Sequence, residues 1–496
     1  MAEQSDLLEA MLAQATSSVK ELGAKAAELE TQQDMVGLEG AVLEIVLRLG
    51  AVWVGMVLSQ WAAHLAVQTG TRLPCGCGGV ARWVERRAKT VLTLLGRVTY
   101  QRVYYHCAAC RQGEGLGDRR WGLHRTRTSR AVKELLGYLS ATTVGFAGVA
   151  RNVCRTLRWP AEWLSGKQVQ RLAEPIGTRV DEQETTRIAR WWAQATTGLA
   201  VAAAEPASPG SEPEQPAEAD LPSRRLSGQM DGILGRIRGT QGKGSDVWRE
   251  VKVGAVFWAE TGRHASSLVA LLGRAAQATG AAGRVWVDRP VGAIRYVAGL
   301  RPAAEFGVRL YALAVARGVE QAAEVVVLGD GAVWIWKLAA EHFPGATQIL
   351  DFQHAREWIH QVAGAVWGAG SAKAAVWTET QIREHLIEGD AAGLVAAIAA
   401  LPAIAPATGA SKALPEQAIE YFQNNAERMH YPDYRARGLE IGSGIIESAG
   451  RRVVAVRCKQ PGMRWTEQGL QSIITLRTHA LNESYDSALA DLPKVA

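Results

Sequence analysis

The strongest constraint on the fold comes from two short apolar segments that are separated by an amphipathic helical pattern. "EVVVLGDG" ends its apolar run at Asp330, and "TQILDF" ends its run at Asp351. The intervening "AVWIWKLAAEHF", followed by Pro344, is typical of a helix. Apolar runs of this length, bounded by Gly, Asp or Pro, indicate buried strands. The sequence therefore predicts an acidic residue at the end of each of two buried strands.

Three further strands and a helix are predicted just before these segments. "RRLSGQMDG" indicates a short strand ending at Asp231, and "VWREVKVGAVFWAE" and "GAIRYVAG" indicate a second and a third strand. "AAEFGVRLYALAVARG" indicates an amphipathic helix that ends at a glycine. Three meandering strands followed by alternating helix and strand predict an α/β domain, in which a mixed sheet is covered by helices. In this order the first and fourth strands lie side by side, so Asp231 and Asp330 should be adjacent.

A proline-rich acidic segment, residues 203–222, separates this predicted sheet from the first part of the chain. It carries five acidic residues and no basic residue between Glu205 and Asp220. Such a composition cannot bury enough apolar surface to offset the entropy of ordering, so we predict a linker. The net charge of +6 becomes +11 when these five acids are left out. That basic surplus fits a polyanionic partner, and it fits ordinary solubility equally well.

Residues 1–70 have helical spacing of apolar residues throughout. No positively charged region followed by an apolar core opens the sequence, so we expect no signal peptide. The most apolar stretch, "AVLEIVLRLGAVWVGMVLSQW", contains Glu44 and Arg48. We interpret it as a buried helix of a cytoplasmic protein and not as a membrane span.

Four of the six cysteines fall into two close pairs in residues 71–128. Between the pairs lies "TVLTLLGRVTYQRVYY", which indicates a β-hairpin. Two cysteine pairs that flank a hairpin are typical of a zinc ribbon, in which four thiolates hold one tetrahedral Zn²⁺. Buried free thiols are the alternative. The four predicted ligands are Cys75, Cys77, Cys107 and Cys110.

Residues 129–202 return to a helical pattern that contains a possible helix-turn-helix. "FAGVARNVCRTLRW" is followed by Pro160 and a second helical segment, for which Ser165 is the predicted N-cap. The second helix would bury Val169, Leu172 and Ala173. Its outward residues Lys167, Gln168 and Arg171 would then be available to contact DNA. Generic packing of two helices explains the pattern equally well.

Asp231 and Asp330, together with a distant glutamate, suggest a metal site. Two adjacent carboxylates repel each other unless a cation joins them, and hard oxygen ligands suit Mg²⁺ or Mn²⁺. Glu447 would supply the third ligand from a helix packed on the sheet, with Glu440 as a rival. Ordinary turn chemistry is the alternative explanation for an Asp-Gly pair after a strand.

The segment that follows Glu447 is strongly basic. Arg451 lies four residues on and shares a helical face with Glu447, so it is a candidate to support the site. The stretch to Arg464 holds five bases and no acid, which fits a phosphate backbone beside the metals. The further predicted DNA contacts are Arg452, Arg457, Lys459 and Arg464.

Several longer phrases carry a resemblance to a known family. "MDG", "KVGAVFW", "VVVLGDGAVWIWKLA", "ILDFQHAREW", "IGSGIIES" and "VAVRCKQPGMRW" resemble the ISKra family of bacterial insertion-sequence transposases, as does "GRVTYQRVYYHCAAC". The resemblance implies an RNase H-like catalytic core whose first part is residues 223–354. It also implies Asp231, Asp330 and Glu447 as the DDE triad.

The resemblance implies roles for the residues after the fifth strand as well. Asp351-Phe-Gln-His354 matches a Cys/Asp-x-x-His signature of several transposase groups, so Asp351 and His354 would support the active site. An all-helical insertion would occupy 355–438, with the last core helix at 439–480 and a tail at 481–496. Trp358 in the insertion has core packing as its plainer explanation.

These features favour a DDE transposase that uses Mg²⁺ or Mn²⁺ to cleave DNA at insertion-sequence ends and to join the freed 3′-OH to target DNA. We expect it to bind terminal inverted repeats and target DNA as a homo-oligomer, at the bacterial nucleoid and not at a membrane. Three alternatives remain open. They are a nuclease of the same fold without strand transfer, a non-catalytic DNA-binding protein derived from a transposase, and a zinc-dependent regulator.

Overall fold

The computed structural model describes residues 2–30, 34–196, 225–239, 245–264, 285–409 and 411–492. They form two compact units, one of residues 1–179 with 489–496 and one of residues 180–488. The predicted linker at 203–222 lies outside the described residues. The division between the units falls inside one long helix, Gly166–Thr196, so the second half of this helix belongs to the unit that contains the predicted sheet.

The first unit combines helices with a four-stranded antiparallel sheet, in the order β1-β2-β3-β4. The predicted hairpin is present as the two long central strands. Buried apolar residues of the last three helices form one core that holds the predicted helix pair together. The elements are α1 (Ala2–Glu30), α2 (Met35–Thr69), β1 (Arg72–Pro74), β2 (Val80–Thr93), β3 (Gly96–Cys107), β4 (Gly113–Gly115), α3 (Arg130–Thr142), α4 (Phe146–Thr156) and the start of α5 (Gly166–Thr196).

The prediction that α2 is a buried helix is wrong. Only a narrow stripe of small and branched residues is buried, and it includes Ala41, Ile45 and Gly55. Large apolar side chains on the rest of the helix are exposed, such as Val36 at 73% and Val67 at 82%. Among the described helices, α2 alone is long and apolar enough to cross a membrane by length and composition, a test that core helices also pass.

The second unit contains a five-stranded mixed sheet in the order β7-β6-β5-β8-β9. The first three strands pair antiparallel, and β5, β8 and β9 run parallel. The predicted strand and helix order is therefore confirmed as a mixed α/β arrangement. The elements up to the last strand are β5 (Arg225–Ile237), β6 (Val247–His264), β7 (Val285–Gly299), α6 (Ala303–Ala316), β8 (Glu324–Gly329), α7 (Val333–His342) and β9 (Thr347–Leu350).

Strand β5 does not end at Asp231 as predicted. It continues to Ile237, and it pairs with β6 along its whole length. Its parallel pairing with β8, however, ends at Met230 opposite Gly329. The sequence pattern marked the end of one ladder and not the end of the strand, because the antiparallel partner β6 satisfies the backbone beyond that point.

Helices occupy the region between β9 and the predicted last core helix, and no strand occurs there among the described residues. Their apolar faces share one core with β5, β8 and β9. The predicted tail is also structured, because a final helix buries Tyr485 and Leu489. The elements are α8 (Phe352–Trp367), α9 (Ala372–Gln381), a π segment (Ile382–Leu386), α10 (Ala391–Ala399), α11 (Leu414–Asn425), α12 (Tyr431–Ala436), α13 (Gly444–Gly450), a π segment (Arg451–Ala455), α14 (Val456–Cys458), α15 (Glu467–Leu481) and α16 (Tyr485–Ala490).

The close approach of α2 to β3 generates a stability prediction. A Cβ at Gly55 would lie 2.5 Å from the Thr99 carbonyl oxygen, and Ser59 in the next turn accepts a hydrogen bond from Gln101 N–H at 2.9 Å. We expect Gly55→Ala to destabilise the first unit by about 1–3 kcal/mol, because the backbone must shift to relieve the clash. Calorimetric unfolding of the full chain measures the effect.

Gly23→Ala on α1 is the matched control, because no atom lies within 4 Å of the added Cβ. It should stabilise the protein by about 0.5–1 kcal/mol through helix propensity alone. Equal stabilisation by both substitutions would contradict close packing of α2 on β3.

Candidate active site and candidate metal centre

Asp231 and Asp330 lie at the same level of two adjacent parallel strands. Met230 is opposite Gly329 in the β5–β8 register, and each aspartate is the next residue along its chain. The local backbone fixes both side chains. Asp231 Oδ1 accepts a hydrogen bond from Gly232 N–H at 2.6 Å, and Asp330 Oδ1 accepts one from Ala332 N–H at 2.9 Å. The predicted adjacency follows from the register.

The surroundings of Asp231 disfavour the ionised form of its carboxyl group. Burial and the negative charge of Asp330 together raise its pKa to about 6, although the hydrogen bond from Gly232 opposes the shift. Asp351 adds repulsion and His354 adds attraction. These four side chains therefore form one electrostatic group, the acidic cluster, at the level where the β5–β8 pairing and strand β9 end.

Asp351 is the buried centre of a hydrogen-bond network. It is fully buried, and its carboxylate caps α8 by accepting from the backbone N–H groups of Gln353 and His354. Its Oδ2 lies 2.7 Å from His354 Nδ1, and its Oδ1 accepts from Ser443 N–H at 2.9 Å. The hydrogen bond to Asp351 raises the pKa of His354 to about 9, so the imidazole is protonated at neutral pH. The residues of the Asp-x-x-His phrase thus contact each other directly.

Glu447 reaches the same region from α13. Ile446 N–H donates to Gln229 Oε1 at 3.1 Å, and Gly450 packs directly against Ile233. Residues 229, 231 and 233 share one face of β5, because side chains alternate along a strand. Glu447 lies one turn before Gly450 on the same face of α13, so it lies over the face of β5 that carries Asp231.

Ser443 connects Glu447 to the acidic cluster. Its Oγ donates to Glu447 Oε1 at 2.7 Å, and its N–H donates to Asp351. The rival acid Glu440 accepts from Gln229 Nε2 at 3.1 Å and so helps to fix that glutamine. Sequence reasoning missed Ser443 and Gln229. The only signal available for Gln229 was its position two residues before Asp231, on the same strand face.

The three predicted metal-binding carboxylates are not gathered into a tight group. In the described part of the chain, only one set of three or more potential ligand residues has all its ligand atoms within 4.8 Å of one another, and that set is the four cysteines. Glu447 is exposed, and its carboxylate accepts a hydrogen bond from Ser443 Oγ.

One predicted DNA contact in the basic segment is corrected, and another is engaged in an ion pair. Arg457 is fully buried, with its guanidinium 5.1 Å from the ring centroid of Trp465. Arg464 is paired with both carboxylate oxygens of Asp246. The π segment before α14 adds a residue to one turn and changes which side chains face outward. Arg451, Arg452 and Lys459 are exposed, and Arg452 also donates to the Tyr296 hydroxyl at 3.2 Å.

The prediction that Ser165 caps the N-terminus of α5 is confirmed. Ser165 Oγ accepts from Gln168 N–H at 3.3 Å, and Gln168 Oε1 accepts from Ser165 N–H at 2.7 Å, which is a capping box. Val169 and Ala173 are buried and Leu172 is partly buried, whereas Lys167 and Arg171 are exposed. Gln168 is exposed too, but its carbonyl is engaged in the cap.

The four predicted cysteine ligands meet at one end of the β2–β3 hairpin. Their sulfur atoms all lie within 4.8 Å of one another, with Cys75 Sγ 3.5 Å from Cys110 Sγ and Cys77 Sγ 3.7 Å from Cys107 Sγ. A tetrahedral site with metal–sulfur bonds of about 2.3 Å has sulfur–sulfur edges of about 3.8 Å. The backbone N–H of Cys110 lowers the pKa of Cys107 to about 7, which favours the thiolate that a metal requires. These cysteines can therefore hold a structural metal ion.

Comparisons with known proteins assign no family to the chain. No family model matches it, and no curated protein matches it.

The raised pKa of Asp231 predicts a pH-dependent gain in stability for Asp231→Asn. An acid whose pKa rises from 3.8 unfolded to about 6 folded destabilises the native state above pH 6 and has no effect below 3.8. We expect the variant to be more stable than the wild type at pH 8, by at most about 3 kcal/mol, and nearly equal at pH 4. Calorimetric unfolding at both pH values measures this.

Asp246→Asn is the control of opposite sign. The hydrogen bond from Arg464 lowers the pKa of Asp246, so its ionised form stabilises the fold. This variant should lose stability at pH 8. A loss of stability at pH 8 in Asp231→Asn as well would show that Asp231 is an ordinary structural turn residue.

Proposed function

We propose that the chain is a DDE transposase, similar to the ISKra family, that cleaves DNA at the ends of an insertion sequence and transfers the strand to target DNA. The observation that carries the proposal is the position of Asp231 and Asp330 at one level of adjacent parallel strands, with mutual repulsion between them. A pair of repelling acids at the end of a buried ladder costs stability. Such a cost is typical of a functional site.

The sheet order supports the RNase H-like assignment. Three antiparallel strands are followed by two strands parallel to the first, and Glu447 approaches from a later helix. The helical region 355–438 stands between the fifth strand and that helix, as the resemblance implies.

Asp231, Asp330 and Glu447 would hold Mg²⁺ or Mn²⁺, because all three offer hard oxygen ligands and a cation would relieve the repulsion within the acidic cluster. When bound, the metal would lower the pKa of an attacking water or 3′-OH and stabilise the leaving oxygen. Ser443, which donates its hydroxyl to Glu447, would help to orient this third ligand.

His354 supplies a positive charge beside the acids. Because its pKa is about 9, it is protonated at neutral pH, and Asp351 orients its ring through Nδ1. The imidazolium can pair with a phosphate of the DNA strand or brace Asp351 for its contact with Ser443. In either role, His354 would support the active site and would not act as a general base.

Exposed cations define the surfaces that we propose for DNA. In the second unit these are Arg451, Arg452 and Lys459, near or beyond the helix that carries Glu447. In the first unit they are Lys167 and Arg171 on α5, beyond a capped N-terminus. The protein would act on two element ends as a homo-oligomer in the bacterial cytoplasm, with Zn²⁺ in the cysteine cluster of the first unit.

The triad generates a direct test of cleavage. Asp231→Asn, Asp330→Asn and Glu447→Gln should each reduce Mg²⁺-dependent cleavage of element-end DNA by several orders of magnitude, because each removes a ligand that stabilises the transition state. Gel assays on labelled DNA measure cleavage and joining. Circular dichroism and DNA binding should remain unchanged.

Glu440→Gln is the matched control and should keep most of the activity. Cleavage products without joined products in the wild type would indicate a nuclease. DNA binding without cleavage in the wild type would indicate a non-catalytic DNA-binding protein or regulator. Near-normal cleavage by a triad variant would remove that residue from the active site.

The cysteine cluster generates a metal prediction. Protein purified without chelator should contain one Zn²⁺ per chain by elemental analysis. Replacing Cys107 and Cys110 with Ser should abolish the zinc content and weaken binding to element ends, because the metal holds the end of the hairpin together.

Cys154→Ser and Cys458→Ser serve as controls, since both cysteines lie outside the cluster. They should retain full zinc content. Zinc-free wild-type protein with reactive thiols would contradict the metal site.

A further inference from the structure

The helical region 355–438 contacts the acidic cluster through a tyrosine that has no part in the site described above. Tyr421 on α11 donates its hydroxyl to the backbone carbonyl of Asp330 at 2.8 Å. The two residues are 91 positions apart in sequence. The turn that presents one predicted metal ligand is therefore held by a side chain from the helical region.

The ring of Tyr421 also defines the shape of this turn. Gly331 follows Asp330 with a φ of +100°, a conformation that favours glycine. A Cβ at Gly331 would lie 2.5 Å from Tyr421 Cε2 and 3.1 Å from Leu350 Cδ1. The Tyr421 ring and Leu350, at the end of β9, therefore pack against one side of the turn. From within, Asp330 Oδ1 accepts a hydrogen bond from Ala332 N–H.

Tyr421 is itself rigidly placed. Its ring stacks on Trp358 of α8, with centroids 5.0 Å apart and planes 29° apart, and it contacts Phe422 edge to face. Trp358 thus packs in the core against Tyr421, the residue that is hydrogen-bonded to the turn at Asp330.

Two other tyrosines of the helical region also donate their hydroxyl groups to backbone carbonyls. Tyr431 donates its hydroxyl to the Leu350 carbonyl and Tyr434 donates to the Gln348 carbonyl, each at 3.1 Å. Both anchor α12 to the backbone of β9. Only Tyr421, among these three, donates to the backbone of an acid of the predicted triad.

We propose that Tyr421 is a positioning residue that fixes the Asp330 turn, so that the helical region sets the geometry of the metal ligands. This inference rests on the proposed function for its catalytic consequence, although the contact itself does not depend on it. Loss of the hydroxyl would release the Asp330 carbonyl and let the turn relax, because the part-buried carbonyl loses this donor. Asp330 would then spend less time in the orientation that a metal requires.

The test compares Tyr421→Phe with Tyr434→Phe, which removes an equivalent hydroxyl that donates to β9. For Tyr421→Phe we expect the kcat of cleavage to fall at least tenfold and the Mg²⁺ concentration for half-maximal rate to rise at least threefold. The KM for element-end DNA should change less than twofold, because no DNA contact is removed. Tyr434→Phe should change all three values less than twofold.

Hydrogen exchange of the 328–334 segment gives a second readout that needs no activity. Tyr421→Phe should speed exchange of this segment at least fivefold, and Tyr434→Phe should leave it unchanged. Faster exchange in a protein whose wild type does not cleave DNA would support the positioning role and defeat the proposed function. The proposal is overturned if Tyr421→Phe leaves exchange unchanged. It is also overturned if the two variants reduce kcat equally in a wild type that cleaves.

Discussion

The parallel pairing of β5 with β8 is the interaction on which the candidate active site depends. Its last matched residues are Met230 and Gly329, and the chain places an aspartate immediately after each of them. Every other part of the site is built around that level of the sheet. Asp351 N–H donates to the Gly329 carbonyl, Gln229 holds the start of α13, and Tyr421 holds the turn after Asp330. A shift of the ladder by one residue would send one aspartate to the opposite face of the sheet.

The acidic cluster shows how a fold accommodates several carboxylates that lie close together and away from water. Asp351 is fully buried, and three backbone N–H groups and the His354 imidazole satisfy its carboxylate. Asp231 accepts one backbone hydrogen bond, from Gly232, and burial together with the charge of Asp330 raises its pKa. The two acids differ in environment and not in type.

Much of the fold and of the candidate site could be predicted from sequence where a local pattern determines the outcome. Each of these features depends on a pattern only a few residues long. They are the cysteine pairs, the Ser165 cap and the acids beside buried strands. The failures have a common physical cause, which is dependence on distant partners. The length of β5 depends on β6, the burial of Arg457 depends on Trp465, and Tyr421 meets Asp330 across 91 residues. The exposure of α2 likewise follows from what packs beside it and not from its own apolar composition.

The π segment Arg451–Ala455 makes the helix after Glu447 sensitive to changes in length as well as in composition. A π turn contains one residue more than the α turn that it replaces, so it corresponds to a single inserted residue within a regular helix. Deleting one residue there would restore the α-helical phase and rotate everything beyond it by about 100° relative to Glu447. Arg457 would leave its place against Trp465, and another side chain would take its place in the core. The positions of the cations relative to Glu447 therefore depend on the number of residues in this segment, and a one-residue insertion or deletion there would displace buried side chains.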